Sequence, residues 1–88
     1  MVLASHIQTA IDLARQYGVK RLFLFGSALH SPETARDLDL ACEGLSGWNL
    51  YELAAAMEES LNIPLDLIPL SPVSALTQKI EREGQRLR

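Results

Sequence analysis

Three aspartates and one Gly-Ser pair are the residues of this 88-residue chain whose types and spacing point to chemistry: Asp37, Asp39, Asp66 and Gly26-Ser27. The stretch Asp37-Leu38-Asp39-Leu40 alternates with period two, so a strand there carries both carboxylates on one face and both leucines on the other. The carboxylates then lie about 7 Å apart along the strand. Like charges at that spacing destabilise the strand unless a cation sits between them, and a divalent metal would serve. Asp66 stands alone in the apolar run Ile63 to Leu70, where an ionised group without a partner is costly to bury. If its strand lies beside that of Asp37 and Asp39, three acids gather at one end of a sheet. Such all-oxygen surroundings select Mg²⁺ or Mn²⁺ over zinc. They are the kind of set that supports two-metal phosphoryl or nucleotidyl transfer.

Gly26-Ser27 ends a short apolar run, Arg21 to Phe25, that is too short for a helix and reads as a buried strand. Gly26 lacks the Cβ that would keep a ligand from the backbone. Ser27 offers a hydroxyl and an N–H group at the first turn of a short helix, a place for an anion. No phosphate loop of the G-x-x-x-x-G-K kind exists in the chain.

The elements that must position these residues follow from periodicity. Ser5 to Tyr17 has a helical apolar stripe at Ile7, Ala10, Ile11 and Ala14, with Ser5 and Gln8 spaced as a capping box and Gly18 as the stop. Val19 to Phe25 is the first strand and Asp37 to Cys42 the second. Between them runs a loop with a helical turn near Ser27 to Leu29. Asn49 to Leu61 is a second helix, striped by Leu50, Leu53, Ala54, Met57 and Leu61, with Asn62 as its cap. Ile63 to Leu70 alternates as a third strand, which Pro64 and Pro69 push toward a sheet edge. Ser71-Pro72 opens a last helix with a thin line of Val73, Leu76 and Ile80. The expected fold is α/β (α+β), a small mixed three-stranded sheet with helices packed on one face, over Leu38, Leu40, Leu65 and Leu67. Residues 1–88 are expected to form a single domain.

Composition narrows the functional classes. A formal net charge of −3 disfavours DNA or RNA bound through bulk charge. One cysteine, Cys42, excludes an internal disulfide, and with His6 and His30 alone beside it there is no zinc-site spacing. Cys42 continues the leucine face of its strand and reads as a small buried hydrophobe. Trp48, Tyr51 and Met57, at helical spacing, read as core or interface. No run reaches membrane-spanning length and the first residues carry no export signal, so a soluble cytoplasmic protein is expected. An edge strand and a sparse last helix leave room for docking or self-association, without fixing a number of subunits.

The order of these features resembles the nucleotidyltransferase superfamily that includes polymerase beta and the kanamycin nucleotidyltransferases. The short length and the closing Ile80-Glu81-Arg82-Glu83-Gly84 are similar to its minimal nucleotidyltransferase (MNT) branch. The resemblance implies that Gly26 and Ser27 hold the triphosphate of ATP. It also implies that Asp37 and Asp39 ligate Mg²⁺ or Mn²⁺, and that Asp66 completes the metal site and helps to deprotonate an acceptor hydroxyl. It further implies a small helical HEPN-type partner, a toxin that the MNT protein neutralises by transferring AMP to it. The family pattern has an arginine just after the Gly-Ser pair, where this chain has Ala28 and Leu29, so His30 or Arg36 is expected to supply that charge. The alternative expectation is a binding subunit or antitoxin of the same fold that acts by contact alone. Taken singly, a Gly-Ser turn or an Asp-x-Asp strand is ordinary; the weight lies in their joint order.

Overall fold

The computed structural model describes residues 1–88. Its elements run α1 (Ala4–Gln16), β1 (Arg21–Phe25), α2 (Ser27–His30), β2 (Leu38–Glu43), α3 (Trp48–Leu61), β3 (Leu65–Pro69), α4 (Ala75–Glu83) and β4 (Gln85–Arg86). Helix α1 begins one residue ahead of the expected start, because Ser5 and Gln8 do not cap it. The Leu3 N–H donates instead to Nδ1 of His6 at 2.9 Å, and Gln8 turns outward to Asp12. Gly18 follows its C-terminus as expected, its N–H donating to the Arg15 carbonyl. Helix α3 stops at Asn62, which adopts the left-handed conformation at φ 56°. Helix α4 starts later than Ser71-Pro72 suggests, since Ser74 and Thr77 form its capping box: the Thr77 N–H donates to Ser74 Oγ and the Ser74 N–H to Thr77 Oγ1.

The strand order is β3-β2-β1-β4. Strands β1 and β2 are antiparallel, β2 and β3 parallel, and β1 and β4 antiparallel. Parallel neighbours need a long crossover, and α3 is that crossover. β3 lies at one edge, where Pro69 at its end and Pro64 just before it cost the sheet little. The expected three-stranded sheet gains a fourth strand because the chain turns back along β1 at Gly84. There a Cβ would stand 2.6 Å from the Ile80 carbonyl oxygen and 3.0 Å from that of Leu24, so only glycine lets the chain pass this close.

The sheet is covered on both faces, not one. Leu38, Leu40 and Cys42 of β2 point to α1 and α3 and pack with Ala10, Ala14, Leu53 and Met57 in the larger core. Leu65 and Leu67 pack against the same core, as the alternation predicts. The opposite face carries Phe23, Ala41 and Leu70, and Ile80 of α4 closes over them. Arg21 fastens α4 to that face, with its guanidinium 2.9 Å from Glu43 of β2 and 2.7 Å from Glu81 of α4. The sequence reading did not place this second layer.

Cys42 is buried, and burial pushes its thiol up to about 11, as suits a small hydrophobe. Met57 is core, but Trp48 and Tyr51 are 77% and 70% exposed, and their rings meet edge to face at the start of α3. No helix is long and apolar enough to cross a membrane. Leu40 is fully buried at the centre of β2. Leu40→Ala is expected to cost about 2–5 kcal/mol of stability, read as a lower urea midpoint at unchanged m-value.

Candidate active site

The carboxylates are set by strand register. Phe25 at the end of β1 pairs with Asp39, and Asp39 pairs with Asp66 across the parallel β2–β3 ladder. These residues form one row on the face that α4 shares. Asp37 lies just before β2, where the Leu38 N–H donates to the Pro64 carbonyl and ties the entrances of β2 and β3 together. The sequence expectation that three acids meet at one end of the sheet therefore has a geometric basis, strongest for Asp39 and Asp66. Asp37 and Asp66 are exposed, and Asp39 is half-buried between them. None of the ion pairs in the structure involves these aspartates.

Burial raises the pKa of Asp39 above its ordinary value, and the negative charges of Asp66 and then Asp37 raise it further. Asp39 thus feels the other two as an uncompensated negative field. As they stand, no three His, Cys, Asp or Glu side chains close on one point as an ion cage. The donor chemistry nevertheless suits a hard divalent cation, since every candidate ligand is a carboxylate oxygen and Asp39 is destabilised by the charges around it.

Gly26 joins this row directly. It takes φ 75° and ψ −154°, and a Cβ at this position would collide with the Asp39 carboxylate. The backbone of the Gly-Ser turn therefore passes against Asp39, and only a glycine permits it. Ser27 is exposed at the first position of α2. The phosphate-binding pair and the carboxylates of the sequence reading are thus neighbours in space.

A cleft of about 200 Å³ opens beside Gly26. Phe25 lines it from the end of β1, Gly26 from the turn that follows, Leu29 and His30 from α2, and Leu76, Lys79, Ile80 and Glu83 from α4. His30, one of the two expected positions, lines the cleft together with Gly26. Arg36, the other, is exposed and does not line the cleft. A larger groove of about 360 Å³, on the side of α1 and β4, is lined without a single charged residue and is a poor place for phosphates. Lys79 and Leu76 were missed in the sequence because nothing local says which face of the sheet α4 covers. The available signal was that Lys79 neighbours Ile80 on the apolar line of the helix.

A scan against protein-family models and a search of curated proteins each found no match. Solved structures do match, and they define the class: the chain has the nucleotidyltransferase fold in its minimal form. It is similar to a chain of the tri-AMPylated Shewanella oneidensis HEPN toxin in complex with MNT antitoxin. The identity is 26% and the TM-score 0.76, over 96% of this chain and 70% of that one. A toxin–antitoxin crystallised with AMP-PNP matches at 24% identity and TM-score 0.78, over 93% of this chain and 72% of that one. A protein provisionally assigned as a minimal nucleotidyltransferase matches at 23% identity and TM-score 0.73, over 91% of this chain and 87% of that one.

The raised pKa of Asp39 has a consequence for stability. Above that pKa the ionised carboxylate disfavours the folded state, and protonation removes the penalty as pH falls toward the ordinary value of 3.8. In chelator-treated buffer, Asp39→Asn is expected to raise the thermal midpoint near neutral pH. The gain should shrink to nothing as the pH approaches that ordinary value. A pH series of melting curves for the two proteins checks it.

Proposed function

We propose that this protein is a metal-dependent nucleotidyltransferase that moves AMP from ATP to a hydroxyl of a HEPN-type toxin, and so acts as the antitoxin of a two-component system. The observation that carries the reading is the row in which Asp39 faces Asp66 beside Gly26. In its support, the same fold occurs in a chain crystallised in complex with a tri-AMPylated HEPN toxin and in a toxin–antitoxin crystallised with AMP-PNP.

In this reading the backbone N–H groups at Gly26-Ser27 hold phosphate oxygens and set the α-phosphorus beside the carboxylates. Asp37, Asp39 and Asp66 would hold Mg²⁺ or Mn²⁺, which when bound would lower the pKa of the attacking hydroxyl and offset charge on the departing pyrophosphate. The acceptor oxygen bonds to the α-phosphorus, the bond from that phosphorus to the bridging oxygen breaks, and pyrophosphate leaves. Asp66 takes the hydroxyl proton. Its exposure on an edge strand suits this role, because an acceptor belonging to another protein can reach it. A chain of 88 residues has little surface with which to enclose both a nucleotide and a protein acceptor, so the partner completes the site. ATP as the donor places the reaction in the cytoplasm.

A second reading, neutralisation by contact alone, is favoured by the open arrangement of the acids, which form no closed group of three. Intact-mass measurement separates the two. The protein is incubated with its HEPN partner, ATP and Mg²⁺, and the expected result is an AMP-sized mass increase on the partner. The increase should be absent with Asp37→Asn/Asp39→Asn and after chelation. A tight complex with no adduct from any nucleoside triphosphate would replace the transferase reading with the contact reading.

A further inference from the structure

The cleft between α2 and α4 contains a cation that the carboxylate row does not use. At about 200 Å³ it is smaller than a pocket for a whole ligand of nucleotide size, about 300–1,000 Å³. It can therefore receive only part of such a molecule. Gly26, which lines it, is also the backbone that abuts the Asp39 carboxylate, so the cleft and the carboxylate row meet at Gly26. A polyanion brought to this point meets the field of Asp37, Asp39 and Asp66, and needs positive charge beyond them.

The basic residues of the chain narrow the source. Arg21 is committed to Glu43 and Glu81, Arg15 to Asp12, and Arg82 pairs with Glu83. Arg88 donates to the Val19 carbonyl, and Arg86 to that of Arg88. Of the eight lysines and arginines, Lys79 alone lines the cleft, and it takes part in no ion pair; Glu83, the one carboxylate that lines the cleft, is paired with Arg82. Its helix is fixed from both sides: Ile80 is buried in the second core, and Glu81 is held by Arg21. The ammonium group thus has a firm base on the wall opposite His30.

We infer that Lys79 is a positioning residue that binds the outer phosphates of a nucleoside triphosphate, the part of the molecule lying beyond the reacting phosphorus. This assignment rests on the transferase reading above and adds a residue to it. The contact of ammonium and phosphate is a charge-assisted one, made beside the apolar side chains of Phe25 and Leu76.

The test is calorimetric titration of ATP and of AMP, each with Mg²⁺, into the wild type, Lys79→Ala and Lys79→Arg. Lys79→Ala should weaken ATP binding by about tenfold to a hundredfold, the scale of one charged hydrogen bond. AMP binding should be unchanged, and Lys79→Arg should restore most of the ATP affinity. Equal ATP affinity in the wild type and Lys79→Ala overturns this assignment while leaving the transferase reading in place. A parallel loss for ATP and AMP moves Lys79 to the nucleoside end and overturns it as well. A wild type that binds no nucleoside triphosphate, either alone or in complex with its HEPN partner, overturns the transferase reading and this assignment together.

Discussion

Everything in this small fold depends on the parallel pairing of β2 with β3. That register sets Asp39 directly across from Asp66 on strands about 4.8 Å apart, an arrangement that costs stability because like charges face each other. The same register turns Leu38, Leu40, Leu65 and Leu67 the other way, onto α1 and α3, where their burial offsets the repulsion. The two effects cannot be separated. A slip of one residue in β3 would turn its leucines away from the core and carry Asp66 to the core side. The crossover that makes parallel pairing possible, α3, is also the helix that covers those leucines, so connection and core are one element.

The second face is divided row by row along β1. Its alternate residues Arg21, Phe23 and Phe25 each meet a different environment. Arg21 binds Glu43 and Glu81, Phe23 packs with Ala41 and Ile80, and Phe25 lies level with Asp39 and lines the cleft. Helix α4 covers the first two rows and leaves the third open on one side. The open row is where the carboxylates stand, so the position of α4 decides what can approach them.

Much of this was readable from the chain. Period-two alternation marked the two carboxylate strands and put Asp66 on the face of Asp39, but the partner expected from burial is not required, because Asp66 is exposed on an edge strand and forms no ion pair. The glycine before Ser27 marked a close approach, which proves to be an approach to Asp39. The features that escaped are those fixed at long range. A two-residue strand has no period, so β4 left no pattern to find. The capping of α1 by His6 in place of Ser5 turns on a shift of one residue, below the resolution of any stripe. In helix α3 the stripe of Leu53, Met57 and Leu61 is core as the spacing predicts, whereas the choice between core and interface for Trp48 and Tyr51 waits on packing, which leaves both exposed. Lys79 is an ordinary helical lysine until α4 is known to lie on the carboxylate face.

The two edges of the sheet set how this protein can meet another. β3 ends in Pro69 and is preceded by Pro64, and neither residue has a main-chain donor to offer a neighbouring strand. At the other edge β4 is only two residues long, and one of them is Arg86. Neither border gives a foreign strand the length of free backbone needed to zip on. Recognition of another chain is thereby left to side chains on helices and loops, where shape and charge discriminate between partners, and the sheet is guarded against extending itself from molecule to molecule.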